Sequence, residues 1–174
     1  MKRDTAIIRA LILAALLAGG TTSAEAQGFT LNLAGGVAFP VGNFSQTTTM
    51  GWHALAGIGL TSIMQPLSLR LDGAHYRFEA EDPAGTPGIT SGTLNLSYRL
   101  PMTTSPFSPY VSAGAGAYRF ACVGEPECGS DTDFGWNAGV GTKIAALRLK
   151  WFLEARFQAA GNVRFVPVTL GLTF

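Results

Sequence analysis

The chain has 174 residues, a formal net charge of +1, only 13% charged residues and 22 glycines. A near-neutral chain without a basic cluster excludes an electrostatic nucleic-acid binder, and no apolar stretch after residue 26 is long enough for a transmembrane helix. The length suits one domain, and sparse charge with abundant glycine suits a β-barrel wall better than a helical bundle.

Lys2, Arg3 and Arg9 make a positive start, and Ala6 to Leu17 is apolar apart from Arg9. A small, polar stretch and Ala24-Glu25-Ala26, an A-x-A cleavage pattern, follow. This predicts a secretory signal peptide over residues 1–26, too short and wrongly flanked for a retained anchor, and a mature domain over 27–174. Without the signal, basic and acidic side chains are equal in number.

Period-two alternation then predicts eight strands. The first runs from about Phe29 to Phe39, with Phe29, Leu31, Leu33 and Val37 on one face and Thr30, Asn32, Ala34 and Gly36 on the other. The second, Trp52 to Ile63, turns Trp52, Ala54, Ala56, Ile58 and Leu60 outward and His53, Gly57, Gly59 and Thr61 inward. The third starts at Leu67 with Leu67, Leu69 and Leu71 out and Ser68, Arg70 and Asp72 in. Beyond Gly73, strict alternation would send His75 and Arg77 outward and Tyr76 and Phe78 inward. Either a bulge at Gly73 restores the phase, or the strand has by then left the hydrocarbon.

The fourth strand, Thr90 to Leu100, places Leu94, Leu96, Tyr98 and Leu100 out and Thr93, Asn95, Ser97 and Arg99 in. The fifth, Pro109 to Phe120, sets Val111, Ala113, Ala115 and Ala117 against Ser112, Gly114, Gly116 and Tyr118, and its small residues leave the two faces hardest to tell apart. In the sixth, Phe134 to Ile144, Phe134, Trp136, Ala138 and Val140 face out, and Gly135, Asn137, Gly139, Gly141 and Lys143 face in. The seventh opposes Leu149, Trp151, Leu153, Ala155 and Phe157 to Lys150, Phe152, Glu154, Arg156 and Gln158. The eighth opposes Val166, Val168, Leu170, Leu172 and Phe174 to Phe165, Pro167, Thr169, Gly171 and Thr173.

The connections are expected to fall into a short set at one end of the barrel and a long set at the other. Gln65-Pro66, Pro101–Ser108 and Ala145–Arg148 are short; Pro40–Met50, Glu79–Gly88, Ala121–Asp133 and Ala159–Arg164 form the long set. Short periplasmic turns and long outer loops mark an outer-membrane barrel, and each strand reaches the roughly 9–11 residues that a tilted span needs. An open sheet edge cannot sit in hydrocarbon, so the predicted fold is an all-β, eight-stranded antiparallel up-and-down transmembrane barrel. Its interior is just wide enough for side chains to fill. Arg70, Asp72, Arg99, Lys143, Lys150, Glu154 and Arg156 are the expected interior charge network, since Arg or Lys facing lipid at the midplane costs about 2–4 kcal/mol. Phe29, Trp52, Tyr98, Trp151 and Phe174 suit interfacial aromatic girdles. The rival is a soluble lipocalin-like barrel, which shares the alternation but puts its apolar face inside.

Cys122 and Cys128 would lie in an oxidising compartment, where their spacing suits a loop-closing disulfide; no nearby histidine or second cysteine pair supports a metal site. Acidic residues gather in the loops at Glu79, Glu81, Asp82, Glu125, Glu127, Asp131 and Asp133, without regular cation-ligand spacing. His53 and His75 lack an evident nucleophile and orienting acid, so no catalytic residue and no cofactor is expected.

The chain resembles the bacterial outer-membrane β-barrel domain family of small, eight-stranded OmpA/OmpX-like proteins over roughly residues 28–174. The resemblance rests on Gly35 to Gly42, Leu67 to Gly73, Ser108 to Val111, Phe134 to Gly141, Leu153 to Arg156 and Phe165 to Phe174. It implies residence in the outer membrane beside lipopolysaccharide, insertion by the barrel-assembly machinery, and no shared catalytic residues. Leu170, Leu172 and Phe174 would form the C-terminal assembly signal. The chain departs from the usual pattern at Thr169, where the family has glycine, and at Leu172, where it has an aromatic. No peptidoglycan-binding domain is expected after Phe174. The functional expectation is a monomeric, non-enzymatic envelope protein displaying loops; surface binding or adhesion and a narrow pore are alternatives, and a lipid-modifying enzyme is a weaker one.

Overall fold

The computed structural model describes residues 28–64, 66–80, 86–101, 106–123, 130–146 and 149–174. The expected signal peptide lies outside them. So do Cys128 and the side chain of Cys122, and with them the expected disulfide. The strands are β1 (Phe29–Val41), β2 (Thr48–Met64), β3 (Leu67–Ala80), β4 (Thr86–Arg99), β5 (Phe107–Val123), β6 (Asp131–Ala146), β7 (Leu149–Ala160) and β8 (Val163–Thr173). Each pairs antiparallel with its chain neighbour, and β8 returns to β1, so the sheet closes into a barrel without edges. A short 3-10 helix, Gly42–Gln46, leads from β1 towards β2.

The strands outrun their sequence-based limits mainly on the long-loop side. β2 begins at Thr48 rather than Trp52, β5 runs on to Val123, and β6 starts at Asp131.

Alternation decides the two surfaces. Phe29, Ile58, Leu71, Leu94, Val140 and Leu170 stand exposed on the outer wall. Asn32, Thr93, Asn95, Ser97, Ser112, Asn137 and Thr169 are buried inside it. A water-soluble barrel requires the reverse, because it has to bury its apolar face. The lipocalin-like alternative therefore falls, and this wall is built to stand in lipid. The faces of β5 also resolve: Tyr110, Ser112 and Tyr118 are buried inside, and Val111 is exposed outside.

The phase question beyond Gly73 has a definite answer. β3 pairs with β4 without a break from Leu67↔Tyr98 to Arg77↔Gly88, so there is no bulge at Gly73. His75 and Arg77 do face outward and are exposed, whereas Tyr76 and Phe78 are buried inside. The register shifts lie instead on β2, one between Leu60↔Leu69 and Met64↔Leu67 and the other where pairing passes from Thr49↔Glu79 to Trp52↔Arg77 with one extra residue on β2. Gly51 sits in the bulge between Thr49 and Trp52. A Cβ there would run into the Arg77 carbonyl and the Phe78 backbone, so the close approach requires glycine.

Candidate functional site: the barrel lumen

β3 and β7 stand on opposite sides of the closed barrel, and each presents two charges, two residues apart, to the interior. The chain order is complementary: Arg70 and Asp72 on β3, Glu154 and Arg156 on β7. Both strands run in the same direction along the barrel, so Arg70 meets Glu154 and Asp72 meets Arg156; the connection that follows β7, expected to be long, is only the two-residue turn Gly161-Asn162, because β7 and β8 stay paired out to Ala160↔Val163. Arg70 Nη2 donates to Glu154 Oε1 and Oε2 at 2.9 and 3.1 Å. Arg156 Nη2 donates to Asp72 Oδ2 at 2.8 Å. Within each strand Arg70 Nε bonds Asp72 Oδ2 at 2.9 Å, and Arg156 Nε bonds Glu154 Oε1. These residues are 9%, 2%, 1% and 4% exposed for Arg70, Asp72, Glu154 and Arg156.

Neutral groups complete the network. The Tyr110 hydroxyl donates to Glu154 Oε2 at 2.8 Å, and Asn95 Nδ2 donates to Asp72 Oδ2 at 3.0 Å. The Arg70 guanidinium lies over the Phe152 ring, 5.5 Å from its centroid. Facing glycines provide the space. A Cβ on Gly57 would collide with the Asp72 carboxylate, one on Gly139 with the Arg156 stem, and one on Gly141 with the Tyr110 ring. Buried ions are tolerable where each finds an opposite charge and hydrogen bonds, and each of the four has both, although Asp72 Oδ1 and Asn95 Oδ1 are buried without a hydrogen-bond partner.

The other three expected members lie elsewhere. Arg99 and Lys150 are exposed, and Lys143 is half-buried, its ammonium 6.0 Å from the Tyr110 ring centroid. Arg99 and Lys143 line a small cavity with Ser68, Ser97 and Ser108 at the short-turn end. The reason is height: alternation assigns a residue to the inner face but not to the sealed part of it, and water enters at the rim.

The long-loop half of the lumen is filled differently. Ala38, Leu55, Tyr76, Phe78, Ile89, Tyr118 and Phe165 belong to one buried apolar cluster. Phe78 and Tyr76 meet the Phe165 ring edge-on at 5.5 and 4.9 Å. Phe44, carried by the 3-10 helix after β1, closes over this layer and meets Phe78 edge-on at 5.1 Å. His53 is built into the same layer, stacked on Tyr76 at 5.3 Å with Nε2 2.9 Å from Thr169 Oγ1. Alternation predicts Phe165 on the inner face and leaves the faces around Tyr118 hard to tell apart, while the charges are the expected filling of the interior. The uninterrupted alternation of Tyr76 and Phe78 was the signal for an aromatic layer.

His75, on the outer wall, has Thr90 Oγ1 2.9 Å from Nδ1 and the Trp52 ring edge-on at 6.3 Å. No carboxylate is paired with it among the described residues, so no nucleophile, base and acid come together there. Among the described residues no group of acidic, histidine or cysteine side chains could hold a metal ion.

The seam is locked at its last residue. Phe174 N donates to Leu31 O at 2.8 Å, and Leu31 N donates to Phe174 O at 3.0 Å. Inside, Thr173 Oγ1 donates to Asn32 Oδ1 at 2.8 Å. Leu170, Leu172 and Phe174 line the outer face of β8, with Leu170 and Phe174 exposed. Of the girdle residues, Phe29, Trp52, Tyr98 and Phe174 are exposed and Trp151 is half-buried.

No protein-family model matches the chain, and no curated protein matches it in sequence. Solved structures do match it in fold. Neisserial surface protein A superposes with a TM-score of 0.68 at 17% identity, over 84% of this chain and 96% of that one. The N-terminal β-barrel domain of Pseudomonas aeruginosa OprF gives a TM-score of 0.57 at 16% identity, over 85% and 98%. Ail, the attachment invasion locus protein of Yersinia pestis, gives 0.52 at 14%, over 85% and 99%. The fold is that of the small, eight-stranded outer-membrane barrels.

Proposed function

We propose that this chain is a non-enzymatic integral protein of the bacterial outer membrane, a sealed barrel that supports the envelope and carries loops at the surface. The supporting observation is the double closure of the lumen: the Arg70–Asp72–Glu154–Arg156 waist and, beyond it, the aromatic layer capped by Phe44. A passage filled by paired charges and packed rings does not suit a pore. The buried His53 and the unassisted His75 do not suit hydrolysis.

In this reading the barrel is a monomer surrounded by outer-membrane lipid and lipopolysaccharide, delivered by a cleaved signal peptide and inserted by the barrel-assembly machinery. Cys122 and Cys128 close the loop between β5 and β6. The acidic loop residues belong to a solvated outer surface.

Heat-modifiable gel mobility after membrane fractionation tests the address and the barrel together. The folded form is expected to run separately from the boiled form, in the outer-membrane fraction. Steady unitary currents in planar bilayers, or altered lipid A after incubation with refolded protein, would overturn the sealed, non-catalytic reading.

A further inference from the structure

The outer wall carries its charges near the long-loop rim. Among the described strand residues, Arg77, Glu79, Arg119 and Arg164 are the charged side chains turned outward, and all are exposed. Arg77 and Arg119 stand on β3 and β5 with β4 between them, at a strand-to-strand separation of about 10 Å. What β4 presents between them is small: Arg77 is registered with Gly88, and Arg119 with Thr90. Thr90 is registered in turn with His75, the partner of its hydroxyl. Two guanidinium groups, an imidazole and a hydroxyl thus share one outward face. Arg119 Nη2 reaches Ser130 Oγ at 3.3 Å, and neither arginine has a carboxylate partner among the described residues.

One row towards the short-turn end, Ala56, Gly73, Gly92 and Ala117 are in register and leave the wall low. Ala54, Ala56, Gly73, His75 and Thr90 line a shallow, mainly apolar depression there. Gly92, in register with Gly73, lies beside it, and an added Cβ there would meet nothing within 4 Å. The bordering Ile58, Leu71 and Leu94 are exposed and apolar. An apolar depression next to outward guanidinium groups on β3 and β5 is complementary to an amphiphile with an anionic head. Arg recognises phosphate oxygens in a planar, two-pronged manner, and its charge is tolerated on a barrel wall near the interface.

We propose that this patch binds a phosphorylated lipid of the outer leaflet, with the phosphate on Arg77 and Arg119 and one acyl chain in the depression over Ala56 and Gly73. The assignment rests on the outer-membrane reading above. Thr90 and His75 offer a hydroxyl and an imidazole to the headgroup's remaining oxygens. Arg164 lies apart from this patch on β8, beside Phe134, Trp136 and Phe157.

The test is titration of the full-length mature barrel, refolded in neutral detergent, with diphosphoryl lipid A, followed by native mass spectrometry. Binding by Arg77→Gln/Arg119→Gln is expected to weaken about tenfold or more, the loss appropriate to two charge-assisted contacts. Gly73→Leu, which puts a side chain into the depression, is expected to weaken it as well, whereas Arg164→Gln leaves it nearly unchanged. Dephosphorylated lipid A should bind wild type as poorly as lipid A binds the double variant, and inorganic phosphate should not compete. Unchanged affinity in the double variant overturns the site, as does effective competition by inorganic phosphate, which would mean a simple anion site. Gel mobility and fractionation of each protein separate the two possible failures. A chain that forms no outer-membrane barrel refutes the membrane reading, and an outer-membrane barrel whose double variant still binds refutes the site.

Discussion

Arg70 and Glu154 meet across the barrel, one from β3 and one from the opposite wall at β7, with the guanidinium donating to both carboxylate oxygens. Because Asp72 and Arg156 repeat the contact one step along each strand, two pairs of charges fasten two distant walls. Glu154→Gln leaves two guanidinium groups sharing one carboxylate in a site shut from water. Destabilisation of about 3–5 kcal/mol is expected, the cost typical of breaking a buried ion pair. Urea titration of the refolded barrel, followed by tryptophan fluorescence, measures it. Arg70→Gln added to Glu154→Gln should recover part of the loss, and additive losses would show that the two residues do not act on each other.

The aromatic layer makes a separate contribution. Phe78 is fully buried between Phe44 and Phe165, so Phe78→Ala is expected to cost about 3–5 kcal/mol. Phe44 is only partly buried, and Phe44→Ala should cost distinctly less. Thermal midpoints of the folded band on unboiled gels rank the two variants, and an equal loss would mean that Phe44 is part of the core and not a cover.

Two glycines of neighbouring strands should respond in opposite ways. A Cβ on Gly114 would strike the Asn95 amide and the Leu94 carbonyl, while one on Gly92 meets open space. Gly114→Ala is expected to destabilise by about 1–3 kcal/mol through overpacking. Gly92→Ala should be neutral, or stabilising by up to about 1 kcal/mol from the reduced freedom of the unfolded chain. The same urea titration compares them, and equal midpoints would contradict the packing described around Asn95.

The seam offers a test of closure. Thr173→Val removes the hydroxyl bonded to Asn32 and should cost about 0.5–1.5 kcal/mol without changing the outer face of β8. Deleting Phe174 removes both of its backbone bonds to Leu31 and an exposed ring. The expected result is a lower yield of heat-modifiable protein in the outer-membrane fraction for the deletion and a near-normal yield for Thr173→Val. Equal yields would mean that the last residue has no part in assembly.

The sequence made the wall legible and the interior only partly so. Alternation is a two-valued signal, and it placed Leu69, Arg70, Leu71 and Asp72 on their faces because each strand has one lipid side and one lumen side. It carries no information on height, so Arg99 and Lys150 were grouped with Arg70 although they stand at the open rim. The outward turn of His75 and Arg77 looked like a broken pattern because a lipid-facing charge is costly at mid-membrane. Near the rim it is not, and the bulge on that side is on β2 at Gly51, a glycine in a threonine-rich stretch whose role depends on the neighbouring strand. The pairing of Arg70-x-Asp72 with Glu154-x-Arg156 could be seen as two complementary tripeptides. Facing them required knowing that the third and seventh of eight strands are opposite each other.

The waist has a further electrical consequence. Two guanidinium groups and two carboxylates at one level carry no net charge. A Donnan voltage across the membrane does work in proportion to the charge it displaces, so it has no net handle on this assembly as a unit. Such a plug should stay shut at either polarity, insensitive to the potentials that open voltage-driven gates.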